Sequence, residues 1–146
     1  MSYKKILCTV DPKADAQAAI RRALELARAV GAELKVLHVV GYFPEDRSNE
    51  YIAPENQDPM TYELEAARRE LAGLAVPLGV EESVVEVSHS PESASHEVLR
   101  RVKAEGYDLV ISSGGHPHGL ARLLPNSADR IAHGARCDVL VVHGDA

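Results

Sequence analysis

Five short runs of branched apolar residues recur along the chain, each separated from the next by a segment long enough to hold a helix. The runs are Lys5 to Val10 (KILCTV), Glu33 to Val40 (ELKVLHVV), Glu82 to Ser88, Leu109-Val110-Ile111, and Val139 to Val142 with the strand ending at His143. Runs with little polar alternation suit strands covered on both faces. Glu82 to Ser88 alternates around Val85 and Val87, which predicts a more exposed, peripheral strand. Helix-sized connections between strands build right-handed βαβ units. The pattern β-α-β-loop-α-β-α-β-α-β therefore predicts an α/β fold, an open, doubly wound, five-stranded parallel sheet of Rossmann-like type with helices on both faces. In the strand order 3-2-1-4-5 the fifth strand is an edge.

The connecting segments carry helix signals of their own. From Asp15, Ile20, Ala23, Leu24, Ala27 and Val30 share one face, and Gly31 is placed to end the helix. Asp58-Pro59 reads as an N-cap followed by proline at the first helical position. That helix is expected to reach about Val76, with Leu64, Ala67, Leu71 and Leu74 inward, before Pro77 and Gly79 stop it. Ser90-Pro91 repeats the cap signature, for a helix carrying Ala94, Val98, Leu99 and Val102 inside and ending at Gly106. A last helix begins near Pro125–Ser127, with Ala128, Ile131, Ala132 and Ala135 on one face. Gly41 to Gln57 is a long connection with two prolines, and reads as a lid, a dimer contact or a plain surface loop.

Length and charge narrow the function classes. The 146 residues fit one domain, 1–146. A formal net charge of −6, aromatics at 4% and no Trp argue against nucleic-acid binding, which needs a basic footprint and stacking surfaces. Two cysteines far apart, Cys8 and Cys137, make no disulfide framework. The apolar patch after Lys4 and Lys5 is cut by Asp11, short of the roughly 7–15 residues of a signal core. No run approaches the roughly 20 apolar residues of a membrane helix. A cytoplasmic protein without membrane contact is the expectation.

The stretch Asp108 to His143 reads as strand, glycine-rich turn, short helix, strand, with Gly114, Gly115 and Gly119 in the turn. Ligands of open α/β sheets bind outside the carboxyl ends of the strands, so this turn is the first place to look for a site. Dedicated catalytic machinery is not visible. Ser112 and Ser113 lack a GxSxG context. Cys8 lies inside the first strand, where packing is the expected role, and Cys137 precedes the last strand. His38 reads as a satisfied core or strand-end residue. His116-Pro117-His118 offers two imidazoles where a metal site needs three or four ligands, so no metal is expected. With no paired acid and base, an enzyme is not predicted.

Residues 1–40, ending in LKVLHVV, together with GYDLVISSGGH and RCDVLVV, resemble the universal stress protein family. The resemblance covers nearly the whole chain in the family's order: a strand ending in Val-Asp, an Ala/Leu-rich helix, a strand ending His-Val-Val, a glycine turn and a closing strand. It implies a small stress-response or regulatory protein that dimerises through the last strand, here Val139, Leu140, Val141 and Val142. One branch of the family binds ATP through a motif G-x2-G-x9-G-[S/T], whose backbone N–H groups cradle the phosphates. The resemblance places an adenine site at Asp11, after the first strand, and at the main chain of Val39. This chain departs from the motif. Pro117 or His118 stands where a second glycine belongs, Gly119 comes late, and the closing Gly-Ser falls on Pro125-Asn126. Pro125 has no N–H to offer a phosphate. Gly115-His116, Ser127-Ala128 and Asp138 match the branch without the motif instead. The chain is therefore expected to fall in that branch, without a cofactor. The alternative is an ATP- or AMP-binding switch, with or without slow hydrolysis, whose candidate contacts are Asp11, Val39, Gly115, Gly119, Asn126 and Ser127.

Overall fold

The computed structural model describes residues 2–12, 16–41, 55–56, 58–114 and 127–144. In chain order these form β1 (Lys5–Thr9), α1 (Gln17–Val30), β2 (Glu33–Gly41), α2 (Pro59–Ala75), β3 (Val85–Ser90), α3 (Ala94–Glu105), β4 (Leu109–Ser113), α4 (Ser127–Gly134) and β5 (Asp138–Val142). Short 3-10 turns occupy Val76–Leu78 and Glu82–Val84. The five strands are parallel and stand in the order β3-β2-β1-β4-β5, as the sequence predicts. The edges are β3 and β5, and β1 lies at the centre.

Alternate residues of each strand face opposite sides, so the sheet divides the core in two. On one side Ile6, Cys8, Val36 and Ile111 pack with Ile20 of α1 and Leu71 of α2. On the other, Leu7, Leu37 and Val110 pack with Val98 of α3 and Ile131 of α4. Helices on both faces explain why Ile6, Leu7 and Cys8 are all fully buried although they are consecutive.

The helix ends follow local chemistry. The Asp58 carboxylate accepts from the Thr61 backbone N–H at 2.9 Å, with Pro59 opening α2. Gly31 ends α1 and Gly106 ends α3, both in the left-handed region, and the Gly106 N–H donates to the Val102 carbonyl at 3.0 Å. Three expectations need correction. Ser90 does not cap α3; it is the last residue of β3, opposite Gly41, and Ser93 is the cap, accepting from the His96 N–H at 3.1 Å. Val84 and the two residues before it form a 3-10 turn, so β3 starts at Val85 and runs to Ser90. Ala132 is exposed, because the inward stripe of so short a helix is filled by Ala128 and Ile131. No helix among the described residues is long and apolar enough to cross a membrane.

Candidate functional site

The two ends of the sheet differ in character. At the amino end the chain is tied down. Asp108 accepts the backbone N–H groups of Lys4 at 2.8 Å and Lys5 at 3.0 Å. Burial pushes its pKa up, but these donors outweigh burial and hold the carboxyl below the usual aspartate range. The Tyr3 hydroxyl donates to Asp138 at 2.7 Å. A cleft of about 430 Å³ opens at this end beside Lys5, Lys35, Glu105 and Tyr107. Both of its lysines are engaged: Lys5 Nζ donates to the Glu105 carbonyl at 2.7 Å and lies 4.8 Å from the centre of the Tyr107 ring. Lys35 pairs with Glu86 at 3.3 Å.

The carboxyl end carries Asp11, Val39 and Gly114 of the residues that the sequence singles out. Thr9 stands opposite both Leu37 and Ser112, so two residues further on Asp11 comes level with Val39 and Gly114. The Val10 N–H still donates to the Leu37 carbonyl at 3.0 Å, which carries the pairing past the end of β1. By strand periodicity Val39, Asp11 and Gly114 belong to the α3/α4 face. Val39 is buried in that face's core and Asp11 is exposed. Helix α4, which comes between β4 and β5 in the chain, packs on this same face through Ile131. A helix N-terminus carries partial positive charge, which suits anionic groups. Gly115, Gly119 and Asn126 lie outside the described residues, as do His116 and His118.

Other candidate side chains are engaged or inert. The Cys8 thiol is fully buried, and burial pushes its pKa up to about 12, so it carries no thiolate near neutrality. Cys137 is half-buried, and burial followed by the Asp138 carboxylate raises its thiol pKa too. Ser112 is buried and donates to the Ser113 carbonyl at 3.2 Å. His38 Nδ1–H donates to the Val10 carbonyl at 3.0 Å, the expected strand-end role. Among the described residues no three His, Cys, Asp or Glu side chains gather as a metal site.

Sequence reasoning missed the polar group beneath α3. Glu97 is only 7% exposed. It accepts from Arg100 Nε at 2.6 Å and Arg100 Nη2 at 3.0 Å, and from Arg101 Nε at 3.3 Å. Arg101 also reaches Glu86 on β3 at 2.6 Å. The Arg100 hydrogen bonds, against the opposing effect of burial, hold the Glu97 carboxyl below its ordinary range. Two signals were available. Glu97, Arg100 and Arg101 have i, i+3 and i+4 spacing. The β3 residues on the α3 side of the sheet (Glu86, Ser88, Ser90) are polar, whereas Val85 and Val87 on the opposite side are apolar.

An open parallel sheet with Asp11 just past its central strand and Gly114 just past its fourth defines an α/β fold whose carboxyl edge carries the candidate residues. The chain belongs to the universal stress protein family, whose model matches residues 2–143. It is 36% identical over 145 residues to universal stress protein A homolog 1 of Coxiella burnetii, covering 97% of both chains. It is 30% identical over 143 residues to homolog 2 of the same organism, covering 97% of this chain and 95% of that one. Among solved structures it shares its fold with a universal stress protein in complex with cAMP, at 21% identity, a TM-score of 0.66 and 98% coverage of both chains. The Archaeoglobus fulgidus universal stress protein in complex with dAMP has the same fold, at 17% identity and a TM-score of 0.60, covering 97% of this chain and 98% of that one.

Proposed function

We propose that the chain is a cytoplasmic, regulatory universal stress protein of one domain that works without turnover, and that its carboxyl edge takes an adenine mononucleotide rather than a triphosphate. The observation that carries the ligand is the row of Val39, Asp11 and Gly114 on the face that α4 packs against. An exposed carboxylate there can accept from ribose or adenine donors, and Val39 offers main chain to the base edge. Against a triphosphate stands the broken glycine motif, with Pro125 lacking the N–H that a third phosphate needs. The cAMP and dAMP held by two proteins of this fold each carry a single phosphate, which fits the same size of ligand. Calorimetric titration is expected to show AMP binding with a Kd of about 10–100 μM, roughly −5.5 to −7 kcal/mol. ATP with Mg²⁺ is expected to bind no more tightly and to release no ADP over hours. ATP binding tenfold tighter than AMP would contradict the mononucleotide assignment, and no binding of either would remove the nucleotide from the proposal.

The chain is further proposed to form a homodimer through β5. This strand is an edge, and its residues Val139, Leu140, Val141 and Val142 are only half-buried. A bare apolar edge is a template for pairing with a second copy. Light scattering at micromolar concentration is expected to give twice the chain mass; a clean monomer is the contrary result.

A further inference from the structure

We propose that His143 is a ligand-contacting residue of the carboxyl-edge site, donating from its imidazole to the phosphate of a bound nucleotide. The inference rests on the mononucleotide reading above and adds to it a side chain that no sequence motif marks.

The register supplies the position. Ser113 stands opposite Val142, so Gly114 stands opposite His143, and the Gly114 N–H donates to the Val142 carbonyl at 2.8 Å. His143 thus extends the row to Val39, Asp11, Gly114 and His143, positions on one face of four neighbouring strands. Gly114 contributes no side chain, and the His143 ring fills that place. Its Nδ1 lies 2.6 Å, and its Cε1 2.8 Å, from where a Cβ on Gly114 would stand. The ring therefore leans across β4 toward Asp11 instead of turning off the β5 edge. It is exposed, and no hydrogen bond or ion pair joins it to another described residue.

The spacing suits the ligand. Two strand separations put Asp11 and His143 about 10 Å apart at their backbones. That gap holds a ribose and one phosphate, with the Asp11 carboxylate toward the sugar or base and the imidazole toward the anion. The chemistry also answers a deficit. The sequence lacks the second and last glycines of the phosphate motif and carries Pro125, which has no N–H, and an imidazole N–H on β5's side supplies a donor instead.

The test compares AMP with adenosine by calorimetry on the full chain. His143→Ala is expected to weaken AMP about tenfold and to leave adenosine unchanged, while His143→Gln, which keeps a donor, recovers most of the AMP affinity. Gly114→Ala puts a Cβ where the ring lies, displaces it, and is expected to weaken AMP in the same direction. In the NMR spectrum of the wild-type chain, the His143 Cε1–H resonance is expected to shift with AMP and not with adenosine. AMP binding by wild type and His143→Ala with equal affinity would overturn the inference and leave the mononucleotide reading standing. Equal weakening of AMP and adenosine would overturn the phosphate assignment. A wild-type chain that binds no AMP would remove both.

Discussion

Glu97→Ala is expected to lower the melting temperature by roughly 8–15 °C, corresponding to about 2–4 kcal/mol for a chain of this size. The size of the effect follows from what stays behind. Glu97 is nearly enclosed between α3 and the sheet, and its carboxylate satisfies donors of both Arg100 and Arg101. Arg100 is half-exposed and can turn to water, but the Arg101 side chain is only 12% exposed and cannot. Removing the carboxylate leaves Arg101 with Glu86 at 2.6 Å and Glu105 at 3.6 Å. Those remaining contacts keep the cost from rising further. Glu97→Gln retains shape and loses charge, and is expected to fall between alanine and wild type.

The same carboxylates set an acid limb. Burial opposes ionisation of Glu86, but Arg101 and Lys35 outweigh it and lower its pKa, as Arg100 does most for Glu97. A depressed folded-state pKa gives stability that is complete above the unfolded value of about 4.3 and is lost as pH falls through the folded value. Wild type should therefore lose stability below about pH 4.3, and Glu97→Gln should lose less over that window. Thermal melts by circular dichroism at pH 7 and across the acid range check both statements. Equal melting temperatures for wild type and Glu97→Ala would show that the polar group holds nothing together.

Asp11→Ala is expected to weaken AMP about 10–100-fold, the scale of a hydrogen bond to a charged group, about 1.5–3 kcal/mol. Asp11 follows the central strand, is exposed, and lies level with both Val39 and Gly114. The affinity is read by calorimetry well below the melting temperature, which is recorded in parallel. The loss should appear with adenosine as well as AMP, because Asp11 is assigned to the nucleoside and not to the phosphate. Unchanged affinity would move the site away from the end of β1.

The strands were legible because branched apolar runs with two-sided cover leave little choice of state, and Gly31, Gly106 and Asp58-Pro59 punctuated the helices by plain steric and hydrogen-bonding rules. Alternation of strands and helices predicts the parallel, doubly wound class, and the observed order β3-β2-β1-β4-β5 is one of those the class allows. The α3 cap was misread because Ser90-Pro91 mimics the Asp58-Pro59 signature, whereas pairing with Gly41 keeps Ser90 in the strand. Glu97 was passed over because apolar periodicity assigns inward positions and has no means of marking a buried carboxylate matched by two arginines. At the candidate site, Asp11 and Val39 were named from the family resemblance, and the register of β1 with β2 sets them side by side. His143 was not, since its place beside Gly114 depends on the register of β4 with β5 and on a missing Cβ, neither of which is written in any short motif.

The most direct measurement is an amide chemical-shift map of the chain titrated with AMP. Shifts concentrated at Asp11, Val39 to Gly41, Gly114 and His143, with Lys5, Glu33 and Asp108 at the amino edge unmoved, are the predicted result. Shifts confined to the amino edge, around Lys35 and Tyr107, or none at millimolar AMP, would contradict it.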